Sequence, residues 1–184
     1  EPILICSGTS ALKDTIDDIY NFIKDKNIWY EIIEHKAVFN MSELAEINVP
    51  YPEYDAKNLF VCDDKKARYF LITVWGNKRV NLKEFRNKNK TIPLSFASVS
   101  DLMNILNLTP GSVTPLGLLN DSYLQVTFYL DKEFLNGKKI IGVHPNDNTA
   151  TIWMMTDDLI NIIKEHSNVV NIVEWRIWIR ITLQ

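Results

Sequence analysis

Asn58-Leu59-Phe60-Val61-Cys62, then the polar stretch Asp63-Asp64-Lys65-Lys66, then Tyr69-Phe70-Leu71-Ile72-Thr73-Val74 reads as two apolar strands joined by a hairpin-like turn. Aromatic and β-branched residues fill both runs and charged residues bound them, which is the pattern of strands in a sheet. Trp29–His35 has the same character and predicts a further strand, separated from the pair by the proline-punctuated loop Val49-Pro50-Tyr51-Pro52.

Helical signals lie on either side. From Ala11 to Lys26, Leu12, Ile16, Ile19, Tyr20 and Ile23 recur at helical spacing, and Asp14, Asp17 and Asp18 sit toward the end where the helix dipole favours acids. Leu82–Asn87 and Ser98–Leu106 are also helical in pattern, the second with Ser98 as its N-cap. Beyond the Thr109-Pro110-Gly111 break, Leu124–Leu130, Lys139–Val143 and Thr149–Met154 read as strands and Asp157–His166 as a helix. Strands and helices mix without strict alternation, so the expected class is α+β. The expected organisation is an extension over 1–10, one domain over 11–174 and a strand-like extension over 175–184. In that last segment Trp175, Ile177, Ile179, Ile181 and Leu183 alternate with more polar neighbours and are expected to extend the sheet or pair with Ile3–Cys6.

Composition narrows the function classes. A chain of 184 residues with 46% hydrophobic and 23% charged residues fits one globular domain. Its apolar runs end well before the ~20 residues of a membrane span. The start, Glu1-Pro2-Ile3-Leu4-Ile5-Cys6, lacks a basic leader, which favours a cytoplasmic location. Cys6 and Cys62 are too few, and too far from the histidines, for a zinc site or a disulfide framework, so no metal or cofactor is expected. The net charge of −3 is unevenly spread: Lys65–Lys90 holds nine basic residues against Glu84 and carries +8, leaving −11 elsewhere. A local basic face of this kind suits a nucleic-acid partner, although it also suits plain solvation.

Three separated segments carry chemistry. Ala56-Lys57-Asn58-Leu59-Phe60 sets a lysine at the mouth of an apolar strand, where it can neutralise an anion or simply snorkel. Leu108-Thr109-Pro110-Gly111-Ser112-Val113-Thr114-Pro115-Leu116-Gly117 is an irregular loop fixed by two prolines and two glycines; it serves either as a rigid connector or as a set of amides free to hold an oxyanion. Gly142-Val143-His144-Pro145-Asn146-Asp147-Asn148-Thr149-Ala150-Thr151 concentrates hydrogen-bonding groups in a turn between two strands, with His144 open to a structural or a catalytic role and His35 and His166 weaker candidates.

Taken together and in this order, these segments resemble the YbaK/ProX aminoacyl-tRNA editing family. The similarity also takes in Glu34-His35-Lys36-Ala37-Val38-Phe39, Val80-Asn81-Leu82-Lys83 and Leu94-Ser95-Phe96-Ala97-Ser98, and so spans roughly residues 15 to 170. Lys57-Asn58-Leu59-Phe60 with Thr109-Pro110-Gly111-Ser112-Val113-Thr114-Pro115 is most similar to the PrdX/ProXp-ala branch, whose members deacylate alanyl-tRNA(Pro). The resemblance implies a mixed, barrel-like sheet flanked by helices. It implies Lys57 as the essential lysine, Gly111, Ser112, Val113, Thr114 and Pro115 as the GxxxP loop, and Asn58, His144, Asn146, Asn148 and Thr149 as substrate-binding positions. Lys78, Arg79, Lys83 and Arg86 are the expected tRNA contacts. Implied partners are a tRNA(Pro) carrying a small amino acid, together with prolyl-tRNA synthetase or an elongation factor, for a monomer or weak homodimer away from membranes. Pocket size depends on side chains that sequence does not place, so cysteine or serine as the amino acid, and a non-catalytic tRNA- or synthetase-binding module, stay open.

Overall fold

The computed structural model describes residues 16–37, 48–76 and 78–175. Residues 1–15 and 176–184, which contain the expected Ile3–Cys6 pairing and most of the alternating C-terminal run, lie outside the described residues.

The opening hairpin is present. Strand β2 (Ala56–Asp63) pairs antiparallel with β3 (Tyr69–Trp75), with Asn58 opposite Thr73 and Phe60 opposite Leu71. Its turn closes as Asp63 accepts from the backbone amide of Lys66 at 2.8 Å, with Lys66 in the left-handed region. Strands β4 (Leu94–Phe96), β5 (Val126–Asp131) and β8 (Val170–Val173) complete a five-stranded sheet in the order β4-β2-β3-β5-β8, with β3, β5 and β8 parallel. A second, antiparallel sheet has the order β1-β7-β6, from β1 (Tyr30–Glu34), β6 (Ile140–Val143) and β7 (Ala150–Met155). One parallel bridge, Asp55 to Gly142, brings the start of β2 beside β6. Among the described residues the five-stranded mixed sheet and the antiparallel one are joined at that bridge without forming a closed barrel.

Both sheets share one inner face. Phe60, Leu71, Phe128 and Leu130 of the larger sheet meet Ile141, Val143, Ile152 and Met154 of the smaller one in a single cluster. Helices α1 (Ile16–Asp25), α3 (Val99–Leu106) and α4 (Thr156–Glu165) close over it with Ile19, Ile23, Leu102, Ile105, Leu106, Leu159 and Ile163. On the outer face, α2 (Leu82–Asn89) sets Phe85 against Phe70 and Tyr129, with ring centroids 5.9 and 4.7 Å away. Trp175 is buried and stacks on Phe85 at 5.8 Å, so the packed structure reaches that residue. No helix among the described residues is long and apolar enough to cross a membrane.

The caps explain the helix boundaries. Ser98 accepts from the Asp101 amide at 3.0 Å and Asp101 accepts from the Ser98 amide at 3.2 Å, a reciprocal box that starts α3 one residue after the expected cap. The expected strand at Leu124 begins only at Val126. Leu124 lies in the left-handed region, and Asp121 accepts from the amides of Gln125 and Val126, which holds the preceding residues in a turn.

Candidate active site

Alternation along β2 sorts its side chains. Ala56, Phe60 and Cys62 pack in the inner cluster, whereas Leu59 and Val61 pack in the outer one, so Lys57 lies on the outer face and Asn58 on the inner. Lys57 is half-buried and makes no ion pair or side-chain hydrogen bond among the described residues. Asn58 is committed on the other face, where its Oδ1 accepts from the hydroxyl of Thr73 at 2.7 Å.

The isolated parallel Asp55–Gly142 bridge joins the two strands two residues before Lys57 on one and two residues before His144 on the other. His144 is bound in turn to the proline-glycine loop: the Thr114 hydroxyl donates to the His144 carbonyl at 2.7 Å. Thr114 is fully buried, accepts weakly from the Leu116 amide at 3.4 Å, and caps the 3-10 turn that Pro115 opens. Ser112 is turned inward, its Oγ donating to the Thr109 carbonyl at 2.9 Å, which makes it a brace of the loop and not an exposed hydroxyl. Gly111 has φ +92, a conformation natural to glycine and strained for other residues. Among the described residues no acceptor takes the amides of Gly111, Val113 or Thr114. These are donors of the kind that can stabilise an oxyanion.

The histidine rim contains a residue that sequence reasoning ranked low. His35 and His144 lie side by side, ring centroids 6.5 Å apart. His144 donates from Nδ1 to the Ala150 carbonyl at 2.9 Å, so in the neutral ring Nε2 carries the lone pair. Burial pushes its pKa down, and the neighbouring His35 adds to this against the opposing effects of the Ala150 bond and Asp147. His144 is thus a neutral acceptor. His35 donates from Nδ1 to the Lys36 carbonyl at 2.8 Å and accepts at Nε2 from Thr151 at 2.9 Å. The available signal was alternation: β1 and β7 place His35 and Thr151 on the same outer face as Trp153. In the turn, Thr149 is tied by amide and hydroxyl to Asp147, and Asn146 is buried with φ 62. Asn148 is half-buried.

Asp55 anchors this corner. Its carboxylate is buried with Oδ1 unpartnered, and a Cβ added at Gly142 would meet that oxygen at 2.8 Å and Trp153 Nε1 at 2.6 Å, so only glycine allows the strands to approach here. Desolvation, with Glu53 adding repulsion, raises the Asp55 pKa to about 7. The folded state therefore holds a proton that the unfolded chain, with a carboxyl near 3.8, gives up. The stability this supplies is fully present below about pH 4 and is lost as pH rises through about 7. Asp55→Asn is expected to flatten this decline and to be more stable than the parent at pH 8 by on the order of 2 kcal/mol, measured by urea unfolding at pH 5 and pH 8.

A model of the aminoacyl-tRNA editing domain matches residues 35–162. The chain belongs to that family. Membership makes this aminoacyl-tRNA editing domain a hydrolase of the ester between an amino acid and tRNA. It is 35% identical over 152 residues to the prolyl-tRNA editing protein ProX of Acetoanaerobium sticklandii, covering 83% of this chain and 92% of ProX. It is 33% identical over 153 residues to the prolyl-tRNA synthetase associated domain-containing protein 1 of Danio rerio, covering 83% of each. The fold matches a solved structure described as a candidate trans-editing enzyme for prolyl-tRNA synthetase, with TM-score 0.65, 17% identity and coverage of 92% and 99% of the two chains.

The editing domain's basic segment needs one correction. Lys78 is not a surface contact: its side chain is 7% exposed, and its ammonium pairs with Asp131 at 2.9 Å and Glu133 at 3.5 Å. Lys66 and Lys88 are also engaged, with Asp101 and Glu84. Arg79 and Lys83 are exposed, Arg86 is half-buried, and none of the three has an ion pair among the described residues.

Proposed function

We propose that this editing domain acts in trans to remove alanine from tRNA(Pro). The observation that carries the reading is the tying together of separate segments. The Asp55–Gly142 bridge joins the start of β2, which carries Lys57, to β6, which leads to His144, and Thr114 fastens the loop with its unused amides to His144. The names of the curated relatives support tRNA(Pro) as the carrier. The physical need for such an enzyme is clear, because a site that accepts proline discriminates against each missing methylene by only ~1–3 kcal/mol. A second, smaller site must remove alanine.

In this reading the amides of Gly111, Val113 and Thr114 hold the ester carbonyl and bind it most strongly as it becomes tetrahedral. Lys57 orients the terminal phosphate or ribose. A water is the nucleophile, placed by the free hydroxyl of the terminal ribose. His144, neutral and with Nε2 accepting, holds a donor of the substrate at the rim, and Asn146, Asn148 and Thr149 shape that rim. Arg79, Lys83 and Arg86 face the tRNA backbone, where each phosphate contact releases counterions and makes binding salt-dependent.

One panel tests the reading. Labelled alanyl-, cysteinyl-, seryl- and prolyl-tRNA(Pro), with alanyl-tRNA(Pro) ending in 2′-deoxyadenosine, are incubated with the protein and the ester is followed. Loss of alanine alone from the natural tRNA is expected. Faster release of cysteine or serine would reassign the amino acid, and no release from any would leave a binding module. Full activity on the deoxy substrate would remove the ribose from the mechanism.

A further inference from the structure

We propose that His35 is a positioning residue of the editing site: it does not touch the substrate but holds the His144 ring in the pose that leaves Nε2 free to accept. The inference rests on the reading of His144 as a substrate-holding residue and adds what holds His144.

His35 has no polar atom to spare. Its backbone amide donates to the Thr149 carbonyl at 2.8 Å, Nδ1 donates to the Lys36 carbonyl at 2.8 Å, and Nε2 accepts from the Thr151 hydroxyl at 2.9 Å. Thr151 is itself buried in β7. Both nitrogens of the neutral ring are therefore used inside the protein, which rules out a substrate contact through them and fixes the ring. His144 is the complement. Its Nδ1 is tied to the Ala150 carbonyl, and among the described residues nothing donates to its Nε2. A ring held at one edge alone can swing about that bond. The His35 ring meets it at a centroid separation of 6.5 Å with the planes 59° apart, within the range of packed aromatic pairs, and supplies the second support.

The contact also acts through charge. Burial does most to keep His144 neutral, and a positive charge on His35 adds like-charge repulsion, while the Ala150 bond and Asp147 work in the other direction. Asp147 belongs to His144's own turn, and neither the loop Thr109–Pro115 nor β7 has a charged side chain to bring. Among the described residues His35, at the end of β1, is thus the titratable group that opposes a proton on His144.

The test has a spectroscopic arm and a kinetic arm, both on the full chain. The chain has three histidines, so the ring resonances of nitrogen-labelled protein are assigned by replacing them one at a time. In the parent, His144 is expected to titrate below the ordinary histidine value of about 6.5. In His35→Gln its midpoint should move up. Thr151→Val, which removes only the hydroxyl that holds His35, should move it the same way, and Thr151→Ser should restore the parent value. A His144 midpoint unmoved in His35→Gln would overturn the proposal, whatever the protein turns over. In kinetics, His35→Gln is expected to raise KM for alanyl-tRNA(Pro) by about tenfold with kcat within about twofold. On a His144→Gln background the same change should add nothing, because His35 acts through His144. Multiplied effects in the double variant would give His35 a contribution of its own and sink the proposal. KM raised by His144→Gln but not by His35→Gln would sink it alone, whereas KM unchanged by His144→Gln would remove the reading of His144 together with its support.

Discussion

Lys57→Ala is expected to slow deacylation of alanyl-tRNA(Pro) by about 10²–10³-fold, the scale of losing one preorganised charge or donor at a reacting ester. Its circular dichroism and unfolding midpoint should match those of the parent. The two halves of the prediction have separate grounds. Activity is expected to fall because, in the proposed reading, Lys57 on the outer face of β2 is the cation that orients the tRNA end. Stability is spared because Lys57 has no ion pair or side-chain hydrogen bond among the described residues, and removal of an unengaged, half-buried side chain usually moves stability by less than about 0.5 kcal/mol. Lys57→Arg sharpens the test, since it keeps the charge but exchanges a compact ammonium for a planar fork. If the lysine acts by point attraction to a phosphate, Arg recovers much of the activity. If it must reach a particular ribose or carbonyl oxygen, Arg stays near Ala. Turnover of Lys57→Ala within a few-fold of the parent would remove Lys57 from the machinery.

The hairpin that opens the sequence was legible because both strands are long, apolar and separated by a charged turn, so local pattern and tertiary outcome agree. Helix α3 was equally legible, as its signal at Ser98 and Asp101 is local hydrogen-bond chemistry. Strands β4 and β8 were not anticipated. Leu94-Ser95-Phe96 is too short to show a period, and Val170-Asn171-Ile172-Val173 becomes a strand by parallel pairing with β5, a partner some forty positions away. Leu124 misled in the other direction: an apolar residue beside a strand took a turn conformation because Asp121 holds the amides that follow.

The three site segments carried the family resemblance only when taken together, since each alone fits a structural role, and the contacts that link them in space were not legible. The Asp55–Gly142 bridge and the Thr114–His144 bond join residues 87 and 30 positions apart, and neither Asp55 nor Gly142 stands out by residue type. The place of His35 was not legible for the same reason, since its contacts with Thr151 and His144 are made across the small sheet. Pairing Lys57 with Asn58 as neighbours in one function overlooked the strand's own geometry, which sends adjacent side chains to opposite faces.

Lys78 is where counting charges failed most clearly, and it gives the largest expected effect on stability. Lys78→Ala should destabilise the fold by about 3 kcal/mol, lowering the unfolding midpoint by roughly 10 °C for a domain of this size. The reason lies with the partner. Asp131 is fully buried, and among the described residues it has no other ion-pair partner once the ammonium is gone. Its remaining bonds from the amides of Trp75 and Glu133, both 3.1 Å, soften the loss without replacing a cation and set the estimate at the lower end of what breaking a buried pair costs. Lys78→Met with Asp131→Asn should recover most of the stability, because the pair is then removed as a unit and Asn can still accept one of those amides. A phosphate-binding lysine behaves in the opposite way: its loss weakens tRNA binding, flattens the salt dependence and leaves the melting curve in place. Thermal unfolding and tRNA titration of the same variant separate the two roles. A Lys78→Ala protein that melts with the parent but binds tRNA more weakly would return this lysine to the surface group with Arg79, Lys83 and Arg86.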